Sequence, residues 1–384
     1  MSDLFKFAGN DYLGLATHPA LIEALGEAAR KYGVSSTSSR WAQGWTPLHG
    51  ELEQELSLWL DCEDACIFGA AYFGGAIYFG RMAARGCRVV FCDATVHSNL
   101  FLGMRAAGMD IRTYQHLDMA DLRRITAGYK GPPAIVVTDG VYGISGEVAP
   151  IAEIAAVART IDAELFVDDA HGAGAIGAHG RGAVELAGLQ LPGAGVTADQ
   201  RGQRPRLQQA SSGPVNSVAA AAGRGEVSDK LTIMGSMSKA LGANGGFLAG
   251  RKELIDLFRR SPEASGSSIP PPPIAAAALA AVKIVRHDPE PRRRLEMNAK
   301  FMRQALRDAG IALVDDRHPI LGMLLSNEAQ AVALDQHFRT HGIWIPYFKY
   351  ASEPRQNLLR GAARALYTPE LLQRFENAVR SRPK

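Results

Sequence analysis

The chain has 384 residues, 47% hydrophobic and 21% charged, with a formal net charge of +3. That is enough apolar surface for one large folded unit and a smaller one, and the charge is too balanced to select nucleic acid or an acidic membrane as partner. No stretch reaches the ~18 apolar residues of a membrane span, and Cys62, Cys66, Cys87 and Cys92 follow no zinc spacing, so reduced thiols in a cytoplasmic protein are expected.

The opening MSDLFKFAGNDYLGLA (1–16) lacks the basic start and apolar core of a signal peptide. From about residue 50 to 260 short apolar runs alternate with helical patterns. ACIFG (65–69), RVVFC (88–92), AIVVTDG (134–140), AELFVDDA (163–170) and KLTIMGS (230–236) read as buried strands, and PIAEIAAVARTIDA (150–163) as a helix. This alternation predicts an α/β fold: a mostly parallel central sheet with helices on both faces and its ligand site at the carboxyl ends of the strands. Residues 189–229, rich in Gly, Gln, Ala, Arg and Ser, read as a mobile surface insertion. PPPPI (270–274) breaks any regular element, and after it helices, short strands and a last helix form a smaller α+β domain. The expected division is an N-terminal segment (1–45) packing on the small domain, a large domain (46–268) and the small domain (269–384).

Four stretches carry chemistry. In FVDDAHGAGAIGAHGRG (166–182) a buried strand ends in two aspartates, and strand alternation points Asp168 and Asp169 to opposite faces, with His171 close behind. In GSMSKALGANGG (235–246) Lys239 sits among small neighbours; desolvation there lowers its pKa and makes the amine nucleophilic. His97 follows the strand RVVFC closely enough to lay its ring on a flat ligand. IFGAAYFGGA (67–76) places small residues ahead of a helix, where free N–H groups bind anions. One ligand satisfies all four: pyridoxal 5′-phosphate, with an aldehyde for Lys239, a ring nitrogen for Asp168, a ring hydroxyl for His171, a face for His97 and a phosphate for the loop amides and Ser236. No metal is called for.

These residues resemble those of the α-oxoamine synthases, a branch of fold-type I pyridoxal-phosphate enzymes. The resemblance runs over most of the chain: NDYLGLATHP (10–19), YGVSSTSSRWAQGWTPLHGELEQEL (32–56), TDGVYGISGEVAPIAEI (138–154), then VDDAHG and SKALG in family order. It implies that Lys239 carries the cofactor and moves the substrate's α-proton, that Asp168 pairs with the ring nitrogen and His171 with the ring oxygen, and that His97 stacks. Ala71, Tyr72, Ser236 and Asp139 join the cofactor set. Ser267, in SSIPPP (267–272), reaches the phosphate of a partner subunit in a homodimer. Arg360 binds the amino-acid carboxylate, and Arg40 joins the substrate side. The chain departs from the family at Asp139, Gly143 and Gly75, where Glu, Ser and Asn are usual, in a shorter N-terminal segment, and in an Arg-x-Arg reduced to Leu358-Leu359-Arg360.

The implied reaction condenses an amino acid with an acyl-CoA or acyl-carrier thioester, with loss of the carboxyl group, to an α-amino ketone. Two other readings stand beside it. One is the same cofactor used for transamination, retro-aldol cleavage or simple decarboxylation; the other is a non-catalytic protein that keeps the fold.

Overall fold

A computed structural model of the chain describes residues 4–193, 226–227, 229–266, 269–349, 355 and 357–382. Seven strands form the main sheet: β1 (Asp64–Phe68), β2 (Val89–Asp93), β3 (Asp110–Tyr114), β4 (Ala134–Asp139), β5 (Glu164–Asp168), β6 (Leu231–Ser236) and β7 (Gly246–Gly250). Their spatial order is β1-β7-β6-β5-β4-β2-β3, and β7 alone runs against its neighbours.

Alternation along each strand feeds two cores. Phe91, Val136 and Val167 pack with the helices Pro47–Leu60 and Ile151–Thr160 on one face. Val90, Ile135 and Phe166 pack with Gly74–Ala84, Ser98–Ala106 and Lys252–Arg259 on the other. Both faces of β2, β4 and β5 are covered, which is why these strands read as continuous apolar runs. β3, with the sequence DIRTY, lies at the sheet edge and is largely exposed; its charged side chains blunt an edge that would otherwise pair with another chain.

A smaller antiparallel sheet joins Ala312–Leu313, Ile320–Leu324 and Leu358–Ala362. Near the N-terminus Phe5–Lys6 pairs with Ile343–Trp344. The proline run does not break structure as expected. A helix, Pro272–His287, starts inside it, because prolines in a first turn give up N–H groups that have no intrahelical acceptor. This helix packs on Pro19–Tyr32 and Pro47–Leu60. Leu189–Gln190 pairs with Glu226–Val227; residues 194–225 and 228, the body of the expected insertion, lie outside the described residues, as do Ser267 and Ser268. Among the described residues no helix is long and apolar enough to cross a membrane.

Candidate active site

The carboxyl ends of β2, β4, β5 and β6 converge. Asp139 and Asp168 end β4 and β5 and stand opposite each other in register. Ser236 ends β6, with Lys239 three residues on, and His97 follows β2. Adjacent parallel strands thus deliver two carboxylates and an amine to one cleft.

Asp168 is buried, and its Oδ1 accepts from the Ala170 N–H at 3.1 Å; its other oxygen has no protein donor among the described residues. Burial raises the Asp168 pKa, and the Lys239 ammonium pulls it back. Asp139 turns both oxygens to the His97 backbone N–H, at 3.2 and 3.3 Å. Burial holds it well above the usual carboxylate range, and the charge of Asp168 pushes it further. Lys239 forms no hydrogen bond or ion pair among the described residues. Burial brings its amine down to about 8, against the opposing attraction of Asp168 and Asp139. Asp169 points the other way, as strand alternation requires: it is fully buried, and its Oδ2 accepts from the Ala183 N–H at 2.8 Å.

His171 Nδ1 lies 2.8 Å from the Tyr12 hydroxyl, and its backbone carbonyl is 3.1 Å from His318 Nε2. Burial pushes the imidazole well below its ordinary range, and the charges of Lys239 and Arg360 add to the shift. A Cβ at Gly143 would lie 2.3 Å from His171 Nε2, so the glycine clears the space that this ring occupies. His97 is exposed and caps the helix Ser98–Ala106, with Nδ1 2.7 Å from Asn99 Oδ1. Asn99 in turn donates to the Tyr72 carbonyl at 3.2 Å. Gly75 permits this arrangement: a Cβ there would meet the Asn99 carbonyl at 3.2 Å and Leu100 at 3.3 Å. The departure from Asn at 75 therefore comes with close approach of the helices Gly74–Ala84 and Ser98–Ala106, which Tyr72 and His97 precede. Ala71 and Tyr72 lie in the 3-10 turn Ala71–Phe73 that leads into Gly74–Ala84, a place where backbone N–H groups lack intrahelical acceptors. Ser236 is buried, and its Oγ accepts from the Ser238 N–H at 3.2 Å.

The two arginines fall in different places. Arg360, on Leu358–Ala362, donates from Nε to the Gly143 carbonyl (2.8 Å), from NH1 to the Ala8 carbonyl (2.6 Å) and from NH2 to Asn10 Oδ1 (2.6 Å). Three of its five N–H groups are used in these bonds, and the guanidinium also hydrogen-bonds the Tyr12 hydroxyl. Arg40 is buried in a 2.7 Å ion pair with Glu53 and stacks on Trp45 at 3.9 Å. Asn10 and Tyr12, in the NDYLG stretch, join Arg360 and His171 across more than 150 residues, contacts that no spacing in the sequence announces. His318, which supports the His171 backbone, carried no signal in the sequence.

The donor set fits pyridoxal phosphate. An unpaired amine near pKa 8 faces a buried carboxylate with a free oxygen, beside an uncharged imidazole and an anion-ready helix start. Among the described residues no group of His, Cys, Asp and Glu is placed to hold a metal ion.

The profile of the aminotransferase class I and II family matches residues 2–379. The chain is 32% identical over 341 residues to the 8-amino-7-oxononanoate synthase of Methylococcus capsulatus, covering 88% of this chain and 79% of that one. It is 29% identical over 379 residues to that of Aromatoleum aromaticum, covering 98% and 88%. The fold superposes on a serine palmitoyltransferase variant from S. paucimobilis with a bound PLP–myriocin aldimine, with TM-score 0.83, 24% identity and coverage of 98% and 88%. The 8-amino-7-oxononanoate synthase of Francisella tularensis gives TM-score 0.75, 19% identity and coverage of 99% and 98%. The chain belongs to the aminotransferase class I and II family and, within it, to the α-oxoamine synthases, fold-type I enzymes that use pyridoxal phosphate.

Proposed function

We propose that this protein condenses a small amino acid with an acyl-CoA or another acyl thioester, with decarboxylation, to give an α-amino ketone. The observation that carries the reading is Lys239: a buried, unpaired amine held near pKa 8 at the strand ends, opposite Asp168. The relatives' names support acyl transfer over transamination, aldol cleavage or simple decarboxylation.

Pyridoxal phosphate bound here supplies an aldehyde for amines and a ring that takes up the electron pair left when a bond at the substrate's α-carbon breaks. Lys239 would hold the cofactor and carry a proton at Nζ. Asp168, as a buried carboxylate, would stabilise a positive charge on the ring nitrogen. His171 would face the ring oxygen through Nε2. His97, fixed at its backbone by Asp139, would cover one face, and Ala71, Tyr72 and Ser236 would hold the phosphate. Arg360 would take the substrate carboxylate, orienting which α-bond stands across the ring. Arg40, committed to Glu53, would act on the substrate side through the segment it braces. The cytoplasm and a homodimer are proposed as its setting, with Ser267 reaching a partner's phosphate. The exposed aromatics Tyr72 and Phe73, 52% and 55% accessible at the rim of the site, are the patch a second copy would cover.

A panel of glycine, alanine and serine against short- and long-chain acyl-CoAs, read by release of free thiol, tests the reading. Thiol release that depends on both substrates is expected. Oxo-acid formation from the amino acid with no thiol released would replace it with transamination.

A further inference from the structure

We propose that Tyr12 is a positioning residue that holds His171 as the Nε2–H tautomer, so that the ring presents a hydrogen-bond donor to the cleft. The local contacts decide the direction of the bond. The Tyr12 hydroxyl lies 2.8 Å from His171 Nδ1 and 3.5 Å from Asn10 Oδ1. That Asn10 oxygen already accepts from Arg360 at 2.6 Å. The hydroxyl proton therefore goes to the nearer and emptier acceptor, Nδ1.

The protonation states agree. Burial pushes the Tyr12 phenol up to about 12, so it keeps its proton, and His171 is neutral. A neutral imidazole that accepts at Nδ1 must carry its proton on Nε2. Nε2 has no hydrogen-bond partner among the described residues; it lies against Gly143, where a Cβ would come within 2.3 Å of it and where the glycine supplies no side-chain donor or acceptor. The backbone carbonyl of His171 is held by His318, and Tyr12 packs edge-on against the His318 ring at 5.3 Å between centroids. The ring is thus fixed at the backbone and at Nδ1, leaving Nε2 as its one open polar atom.

The consequence for chemistry rests on the proposed cofactor site: an Nε2–H donor suits a negatively charged ring oxygen, and an acceptor does not. The tautomer itself is a property of the cofactor-free protein, so it is tested without relying on that reading. The protein is labelled with 15N in its histidine rings and freed of cofactor, and His171 is identified by the signals missing from His171→Asn. In the wild type a pyrrole-like Nε2 and a pyridine-like Nδ1 shifted by hydrogen bonding are expected. In Tyr12→Phe the Nδ1 signal is expected to move toward the unbonded pyridine-like position, while the other histidines stay in place. A protonated Nδ1 in the wild type overturns the proposal even where Tyr12→Phe fails to fold. An Nδ1 signal unmoved by Tyr12→Phe also overturns it. Failure of the cofactor reading would show separately, as absence of pyridoxal-phosphate uptake by the wild type.

Discussion

Two buried charge clusters in this chain obey opposite rules. Around Glu53 every charge has a partner: Glu53 pairs with Arg40 at 2.7 Å and with Arg259 at 3.2 Å, and accepts from the Ile67 N–H at 3.0 Å. Arg259 also pairs with Asp64 at 2.9 Å, and these carboxylates hold its guanidinium firmly charged. At the carboxyl ends of the strands the charges are left short. Among the described residues Lys239 has no ion pair, Asp168 has one backbone donor, and Asp139 spends both oxygens on one N–H. Matched partners fix protonation and lock geometry; unmatched ones leave amine and carboxyl groups near the point where a ligand changes their state. The first cluster braces β1 against the helix Pro47–Leu60, and the second waits for something to complete it.

Substitutions sharpen that contrast. Lys239→Ala is expected to abolish thiol release, by roughly 10³-fold or more given what a lost proton-transfer group costs. It should leave the melting temperature unchanged or higher, because a desolvated amine is removed. A large loss of stability would show that the amine is structural. Glu53→Ala should do the reverse. Arg40 loses its ion-pair partner and Arg259 one of several, at a cost of about 3–5 kcal/mol in urea unfolding, while capture of pyridoxal phosphate per folded molecule holds. An unchanged urea midpoint would mean that the matched cluster is incidental.

Gly143→Ser comes next. The new Cβ would sit 2.3 Å from His171 Nε2, so overpacking of about 1–3 kcal/mol is expected, read as a fall in kcat/KM at little cost in expression. A gain on restoring the serine usual in the family would contradict this placement of His171. The smallest effect is one of pH. The free amine attacks an aldehyde and the ammonium does not, so capture of pyridoxal phosphate by cofactor-free protein should quicken as pH rises and level off above about 8. Asp168 favours the charged amine, so Asp168→Asn should move that midpoint down. A midpoint that moves up, or one near that of a free lysine, would break the link between the two groups.

Much of this was legible in the sequence where chemistry and burial point the same way. β2, β4 and β5 are buried on both faces and announce themselves as apolar runs, and VDDAHG and SKALG place Asp168, His171 and Lys239 at strand ends. β3 was not legible, because an edge strand written DIRTY has neither an apolar run nor alternation. β7, with glycine at both ends, reads as loop chemistry. Pro272 and Pro273 read as a break and instead begin a helix, since the cost of proline depends on its place in the turn. In the site, no periodicity joins Tyr12 to His171 or Asn10 to Arg360. Those pairs form only when the N-terminal segment lies across the smaller sheet, and residue types alone carry no trace of that. Arg40 and Glu53 sit in one quoted motif, yet only packing shows that each spends its charge on the other.

The most direct measurement is chemical. Protein loaded with pyridoxal phosphate is reduced with borohydride, digested and mapped by mass spectrometry, in the wild type and in Asp168→Asn. The account predicts a single phosphopyridoxyl peptide, with the label on Lys239, and a weaker yield from Asp168→Asn. Label on another lysine, or none in the wild type, would contradict it.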